Sequence, residues 1–132
     1  MFAKTGMNAL GGDGLQELTF ESSPPEELIP GQQRIDSLDG VYVGEATRNQ
    51  RQGDGTMYFH DGRRYRGQWA EDAVHGLGTM LYSAAERYIG HWVEGVREGT
   101  GEYTQSGGEV YTGQFKSGKI NGSGSMIYPD GS

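Results

Sequence analysis

Large apolar and polar residues alternate along short segments of the chain from Gly40 onward. In Tyr65-Arg66-Gly67-Gln68-Trp69 the first and last residues are aromatic, the middle one is glycine, and the residues between are polar. Alternation with a period of two is the pattern of a β-strand with one apolar face. A polar, turn-like stretch at 70–75 follows, and then Gly78-Thr79-Met80-Leu81-Tyr82 predicts a second short strand. The segment therefore predicts a β-hairpin.

The predicted hairpin recurs along the chain. A tyrosine begins each unit 23 residues after the last, and the four tyrosines are Tyr42, Tyr65, Tyr88 and Tyr111. A Gly-x-Gly keeps the same period, at 53–55, 76–78, 99–101 and 122–124. We therefore predict an all-β fold, an elongated single-layer antiparallel meander of about four stacked β-hairpin repeats over residues 40–132. The Gly-x-Gly should supply positive φ or a bulge that curves the sheet. Gly67 and its equivalents, each between two large residues on one face, should let a neighbouring ring lie over the backbone.

One face of the predicted sheet carries most of the large side chains, because Tyr65, Gly67 and Trp69 point the same way. A single layer is not expected to cover this face, so we expect some of the rings to be available to another protein. The alternative is that these residues are only the core of the protein. The predicted partner-binding groove consists of Tyr65, Trp69, Tyr88, Trp92, Tyr111, Phe115, Met80 and Tyr82.

Residues 1–39 differ from the rest of the chain. They hold no tyrosine or tryptophan, and seven acidic against two basic side chains give them a net charge of −5. We predict a mostly irregular acidic arm, with a short helix near 24–29 that Ser23-Pro24-Pro25-Glu26 begins and Pro30-Gly31 ends. The arm is either a loose tail, or its apolar residues between Leu15 and Leu38 pack on an end of the array or dock a partner.

Composition narrows the class of protein. The net charge is −7, so the chain lacks the basic surface of a nucleic-acid-binding protein. There is no cysteine, and no apolar run approaches the length of a transmembrane helix. The first 20 residues do not form a continuous apolar run, so we predict no signal peptide and a cytoplasmic protein.

The residues that could take part in catalysis or ligand binding do not form a recognisable site. The three histidines, His60, His75 and His91, lack the spacing of a zinc site, and no Gly-x-Gly extends into a phosphate-binding loop. We therefore predict no catalytic, cofactor-binding or metal-binding residue. The one basic cluster, Arg63, Arg64 and Arg66, would suit an acidic partner such as a tubulin tail or a phosphoinositide headgroup, or it is solvated and paired with nearby acids.

The pattern Tyr-x-Gly-x-Trp followed by Gly-x-Gly, at a period of 23 residues, resembles the MORN (membrane occupation and recognition nexus) repeat family. The units that begin at Tyr65, Tyr88 and Tyr111 match best, whereas the unit at Tyr42 has Ala46 in place of the bulky residue. The resemblance implies a rod of stacked β-hairpins that presents a groove to protein partners. Similar proteins include axoneme components, cytoskeletal scaffolds, junctional membrane proteins and modules attached to enzymes.

We therefore expect a non-enzymatic scaffold that holds a partner's peptide or helix in the aromatic groove, or docks edge to edge in a larger assembly. The resemblance favours the cytoskeleton, and in particular the axoneme of a cilium or flagellum. Two alternatives are a membrane-tethering module that contacts phosphoinositides and the regulatory arm of a larger enzyme. Pro129-Asp130-Gly131-Ser132 looks like a turn into a fifth unit, so the chain is either a fragment or ends in an open edge strand.

Overall fold

A computed structural model describes residues 21–131, which form one antiparallel sheet of nine strands. The strands follow one another across the sheet in chain order, so the predicted single-layer meander is confirmed. Within residues 21–131 no helix is present that could cross a lipid bilayer. The strands are β1 (Gln33–Asp36), β2 (Gly40–Thr47), β3 (Gln50–Phe59), β4 (Arg64–Ala70), β5 (Ala73–Leu81), β6 (Arg87–Val93), β7 (Val96–Thr104), β8 (Val110–Lys116) and β9 (Lys119–Ile127).

In each of four hairpins a two-residue turn joins the two strands, and these turns lie at 48–49, 71–72, 94–95 and 117–118. Both residues of each turn have positive φ, as with Glu94 at 49° and Gly95 at 84°. This is the backbone of a type I′ turn, whose twist matches that of the two strands it joins. The turn at 71–72 is therefore shorter than the turn-like stretch predicted at 70–75, because β4 continues to Ala70 and β5 begins at Ala73.

The two glycines of each Gly-x-Gly have different roles. The first, such as Gly76, has positive φ, and the register between β4 and β5 shifts beside it, between Gly67 and Trp69. The second, Gly78, lies directly opposite Gly67. A Cβ atom on Gly78 would overlap the ring of Tyr65, which lies over the pair. The prediction that glycines supply positive φ, bulges and room for a ring is therefore confirmed.

The N-terminal part differs from the prediction in two ways. The sheet begins at β1, inside the predicted arm, where Ile35 pairs with Tyr42. The short helix predicted near 24–29 is wrong, because residues 21–32 contain only bends and turns. A single turn of helix between prolines is stable only with tertiary packing, yet Leu28 and Ile29 are 44% and 60% exposed. The predictions for Leu15 and the rest of residues 1–20 lie outside the described residues.

Candidate interaction surfaces

The aromatic face, defined as the side of the sheet that carries Tyr65 and Trp69, holds the core. Tyr65 and Tyr88 are fully buried, and Trp92 and Phe115 are only 3% and 4% exposed. The rings alternate along the sheet in edge-to-face contacts, which we call the ring ladder. Its successive centroid distances are 5.1 Å (Tyr42–Trp69), 5.4 Å (Trp69–Tyr65), 5.7 Å (Tyr65–Trp92), 5.0 Å (Trp92–Tyr88), 5.0 Å (Tyr88–Phe115) and 5.4 Å (Phe115–Tyr111). Such contacts are the favoured geometry of aromatic pairs.

The polar atoms of the ring ladder are bonded to the backbone. The hydroxyl of Tyr65 donates a hydrogen bond to the carbonyl of Gln68 at 3.0 Å, and Nε1 of Trp92 donates to the carbonyl of Gly78 at 3.1 Å. Burial favours the neutral phenol over the phenolate. It raises the pKa of Tyr88 to about 12, against an opposing effect of Arg97, and raises the pKa values of Tyr42 and Tyr65 further. The tyrosines are thus fixed, neutral core residues.

Three arginine side chains lie over rings on the aromatic face. The guanidinium carbon of Arg51 is 4.7 Å from the centre of a Trp69 ring, and that of Arg63 is 4.1 Å from the centre of Phe59. Arg97 lies 4.7 Å from the ring centre of Tyr103 and 5.3 Å from that of Phe115. Long side chains of this kind bury their apolar stems against a ring, and their positive charge is attracted to the face of the ring. These arginines therefore supply cover that a second layer gives in other sheets.

The expectation that the aromatic face is an open groove is wrong. Of the eight predicted groove residues, six are rings of the seven-membered ring ladder and are core, as is Met80, whereas Tyr82 packs against the core while partly exposed. The prediction failed because it treated a single layer as unable to cover its own side chains. The glycine pairs let each tyrosine lie flat on the backbone, and the spacing of Gly67 and Gly78 from Tyr65 was the signal for this.

The predicted basic cluster is divided between the two faces. Arg63 lies beside Asp61, with Nε 2.9 Å from Oδ2, and covers Phe59. Arg64 and Arg66 alternate with Tyr65 along β4, so they point to the opposite side, which we call the second face. There Arg64 is aligned with Leu81 of β5, which is 3% exposed. The three arginines therefore do not form one binding site.

Hydrogen bonds join the turn of one hairpin to the start of the second strand of the preceding hairpin. The amide of Gly95 donates to the carbonyl of Val74 at 2.8 Å, and the amide of Glu94 donates to Nδ1 of His75 at 3.2 Å. Between the first and second units, Arg51 and Asp72 add an ion pair at 2.7 Å. His75 is thus part of a turn contact, and residues 21–131 contain no group of three or more potential metal ligands.

Strand β9 is an edge of the sheet in the described part of the chain. It pairs with β8 on one side only, and its residues are exposed along nearly its whole length. Ile120 and Ile127 are 46% and 56% exposed, and Tyr128 just beyond the strand is 47% exposed. The opposite edge, β1, has four residues against nine in β9. Strand β9 is therefore the longer of the two edges of the described sheet.

Comparison with known proteins agrees with the repeat. A family model described as MORN repeat matches the chain in four segments, at residues 42–63, 65–84, 88–110 and 111–132. The segments begin at the four tyrosines that begin the predicted units. They include the unit at Tyr42, where Ala46 replaces the bulky residue. No curated protein matches the chain.

Proposed function

Because the chain belongs to the MORN repeat family, whose repeats are generally modules for interaction with proteins or membranes, we propose that it is a non-enzymatic scaffold. It binds a protein partner by adding a strand of that partner to β9. The observation that carries this proposal is the exposed nine-residue edge. The ring ladder is buried in the core, so the partner uses main-chain groups rather than the rings.

The side chains of β9 suit strand addition. Lys119 at its start is the only charged residue in the strand, and residues 121–125 are Asn, Gly, Ser, Gly and Ser. Natural edge strands are protected from pairing by inward charges, proline or short length, and β9 has little of this protection. In strand addition the main chain supplies affinity, while alternate side chains supply specificity.

We place the scaffold in a cytoskeletal assembly, and in the axoneme of a cilium or flagellum in particular. Support comes from the resemblance to axonemal and cytoskeletal repeat proteins. At ~4.8 Å between strands, nine strands span about 40 Å, which suits a spacer between two larger components. A fluorescently tagged chain expressed in ciliated cells should remain with the detergent-insoluble axoneme. Complete release into the detergent-soluble fraction would contradict this placement.

The test of strand addition uses the double variant Ser123→Lys, Ser125→Lys. Both serines are exposed, and added charges on an edge strand oppose pairing with another chain. We expect proteins that co-purify with the wild-type chain to be lost from this variant. The matched control is Thr112→Lys, which places the same charge on exposed Thr112 of β8, opposite Ser125, and should retain them. Partners kept by the double variant would refute strand addition at β9.

A membrane-tethering role is the second candidate, and it rests on the second face. Arg64, Arg66 and Arg87 lie there around Leu81, so cations surround an apolar residue. The net charge of −7 opposes binding to anionic lipid. If this role holds, the chain floats with vesicles containing phosphoinositide at physiological salt, and Arg64→Glu abolishes flotation. Absence of the wild-type chain from the floated fraction rejects the role.

A further inference from the structure

The second face is buried over much of its width, although residues 21–131 form one sheet with no second layer of strands or helices upon it. Leu81 and Ile89 point to this face, because they alternate with Met80 and Tyr88 along their strands. They are only 3% and 2% exposed. The glycine pairs that seat the rings lie on the aromatic face, so they do not explain this burial.

Equivalent positions of the repeat show where the burial ends. Val43, Ile89 and Thr112 occupy the same position in three of the units. Val43 is 4% exposed, whereas Thr112 is exposed. Both lie one strand from an edge, since Val43 is on β2 beside β1 and Thr112 is on β8 beside β9. Distance from the edge therefore does not set the difference, and the cover lies over β2–β6 without reaching Thr112.

Two buried polar atoms of the second face lack a partner. Nε of Arg87 and Oγ1 of Thr104 are buried, and neither has a hydrogen-bond partner within the part of the chain that the structure describes. The two residues lie directly opposite each other on β6 and β7. Both atoms can donate a hydrogen bond, and buried donors are seldom left without an acceptor. A carboxylate suits this position, because its two oxygens can accept from both donors.

The described part of the chain begins beside this face. Tyr58 lies on β3 and points to the second face, since it alternates with Met57. Burial raises the pKa of Tyr58 most, the positive charge of Arg66 opposes the rise, and the negative charge of Glu21 adds to it. The carboxylate of Glu21 is therefore within electrostatic range of the Tyr58 hydroxyl. Residues 1–20 join the chain at this point.

The distance across the face matches the length of chain before Glu21. From Tyr58 on β3 to Arg87 on β6 the second face spans three strand spacings, about 14 Å at ~4.8 Å each. Glu17 precedes Glu21 by four residues, and four extended residues also reach about 14 Å. The segment between them, 18–20, has the sequence Leu-Thr-Phe. A glutamate thus reaches the two unpartnered donors, with apolar side chains along the way.

We propose that residues 15–21 of this chain lie across the second face from β3 to β6 and are its cover. The carboxylate of Glu17 accepts hydrogen bonds from Nε of Arg87 and Oγ1 of Thr104. The apolar side chains of residues 18–20 pack on those of β5 and β6. Charge favours the contact, because residues 1–39 carry a net charge of −5 and this face carries arginines.

This inference does not depend on strand addition at β9, which lies beyond the covered part of the sheet. It bears on the membrane-tethering candidate, because an anionic lipid must displace the acidic segment before it reaches Arg64 or Arg87. The segment is therefore an internal competitor for any acidic ligand of the second face.

A disulfide tests the position of the segment, since the chain has no cysteine of its own. Under mild oxidation, the full chain with Glu17→Cys and Thr104→Cys should form a disulfide within one molecule, detected by mass spectrometry without reduction. The matched control is Glu17→Cys with Ser125→Cys, an exposed position of the same face on β9. It lies two strands beyond Thr104, about 10 Å further, and should remain reduced, because a disulfide needs Cα atoms within about 7 Å.

Limited proteolysis tests the charge pair. Chymotrypsin cleaves after phenylalanine, and the rate of cleavage after Phe20 follows the fraction of molecules in which the segment is released. Arg87→Glu places two carboxylates together and should raise this rate about tenfold. Glu17→Arg combined with Arg87→Glu exchanges the charges and should restore slow cleavage. The control Arg48→Glu makes the same charge change in the exposed turn at 48–49, at the opposite end of β3, and should leave the rate unchanged.

Three results would overturn the inference. The first is cleavage of the wild-type chain after Phe20 as fast as that of Arg87→Glu, and the second is a charge-exchanged variant that is not protected again. The third is a disulfide that forms as readily with Ser125→Cys as with Thr104→Cys, or only between two molecules. If Arg87→Glu is also cleaved within the sheet, it has unfolded, and the disulfide pair then decides.

Discussion

At the scale of single residues, the array is built on pairs of glycines beneath a tyrosine. Gly67 and Gly78 face each other across β4 and β5, and the ring of Tyr65 lies over them. Because neither glycine has a Cβ, the ring approaches the backbone closely enough for its hydroxyl to reach the carbonyl of Gln68. The same arrangement recurs with Tyr42, Tyr88 and Tyr111. Glycine is therefore required here by space and not by backbone angle.

The variant Gly78→Ala tests this requirement. Its methyl group would overlap the ring of Tyr65, so the ring and the strand must shift. We expect the free energy of unfolding to fall by about 1–3 kcal/mol, as for other overpacked cores. Urea denaturation monitored by circular dichroism measures it. The control is Leu77→Ala, a change at the neighbouring residue, which is 38% exposed. It should lower the free energy of unfolding by less. An equal loss in both variants would show that the ring does not restrict position 78.

The same residues show what the sequence revealed and what it did not. The alternation of Tyr65, Gly67 and Trp69 predicted that a ring lies over the backbone at Gly67, whereas Gly78 was predicted to supply positive φ or a bulge and instead makes room for the ring of Tyr65. The burial of Trp69 and Trp92 was predicted only as the alternative, in which the rings are the core of the protein, and its cause was not predicted. This burial depends on arginines such as Arg51, which covers Trp69, and the alternation pattern of a strand does not report how a long polar side chain on a neighbouring strand folds over a ring.

At the scale of elements, the two-residue turns fix the register of each hairpin. All four turns have positive φ at both positions, yet only those at 94–95 and 117–118 contain glycine. Glu71 and Asp72 hold this backbone at φ 50° and 71°, which non-glycine residues seldom adopt. The amide of Glu71 donates to the side chain of Gln52, and the amide of Asp72 to the carbonyl of Arg51. Contacts with the preceding unit therefore hold a turn that its own sequence does not favour.

The variant Glu94→Asn tests the turn. Asparagine followed by glycine is the preferred sequence of a type I′ turn, and Glu94 has φ 49° before Gly95 at 84°. The side chain of Glu94 is exposed, so little packing is lost. We expect the free energy of unfolding to rise by roughly 0.5–1 kcal/mol, within the range of such local improvements. Glu26→Asn, outside the sheet, should be neutral. A less stable Glu94→Asn protein would mean that Glu94 makes a needed contact.

The elements were easier to predict from sequence than their ends. The alternation of apolar and polar residues predicted the strand pairs from Tyr42 onward, because each pair has one apolar face. Strand β1 was missed, since among its residues Gln33, Arg34, Ile35 and Asp36 only Ile35 is apolar. It forms because Ile35 takes the position opposite Tyr42 that Met57 takes on the other side. A four-residue strand of this kind depends on the existing edge of β2 and not on its own sequence.

At the scale of the whole molecule, each unit packs on its neighbours and the ring ladder joins them into one core. Along the chain Trp69 contacts both Tyr42 and Tyr65, and Trp92 contacts both Tyr65 and Tyr88. In a repeat protein, stability is approximately a sum of unit and interface contributions. The ring ladder is the interface contribution here, so a change in its tyrosines affects every unit boundary at once.

High pH changes these tyrosines together, because it ionises their hydroxyl groups. Burial raises the pKa of Tyr88 from its ordinary value of 10.0 to about 12, and raises those of Tyr42 and Tyr65 as well. In the unfolded chain these hydroxyls ionise near their ordinary value. Their contribution to stability is therefore fully present below pH 10.0 and is lost as the pH rises through about 12. We expect cooperative unfolding in this range, with tyrosinate absorbance rising as the circular dichroism of the sheet disappears.

In Tyr88→Phe, which keeps the ring but lacks its hydroxyl, stability should fall less steeply with pH. Ionisation of the buried tyrosines near pH 10 with the sheet intact would contradict this account, because it would show that water reaches the ring ladder in the folded protein.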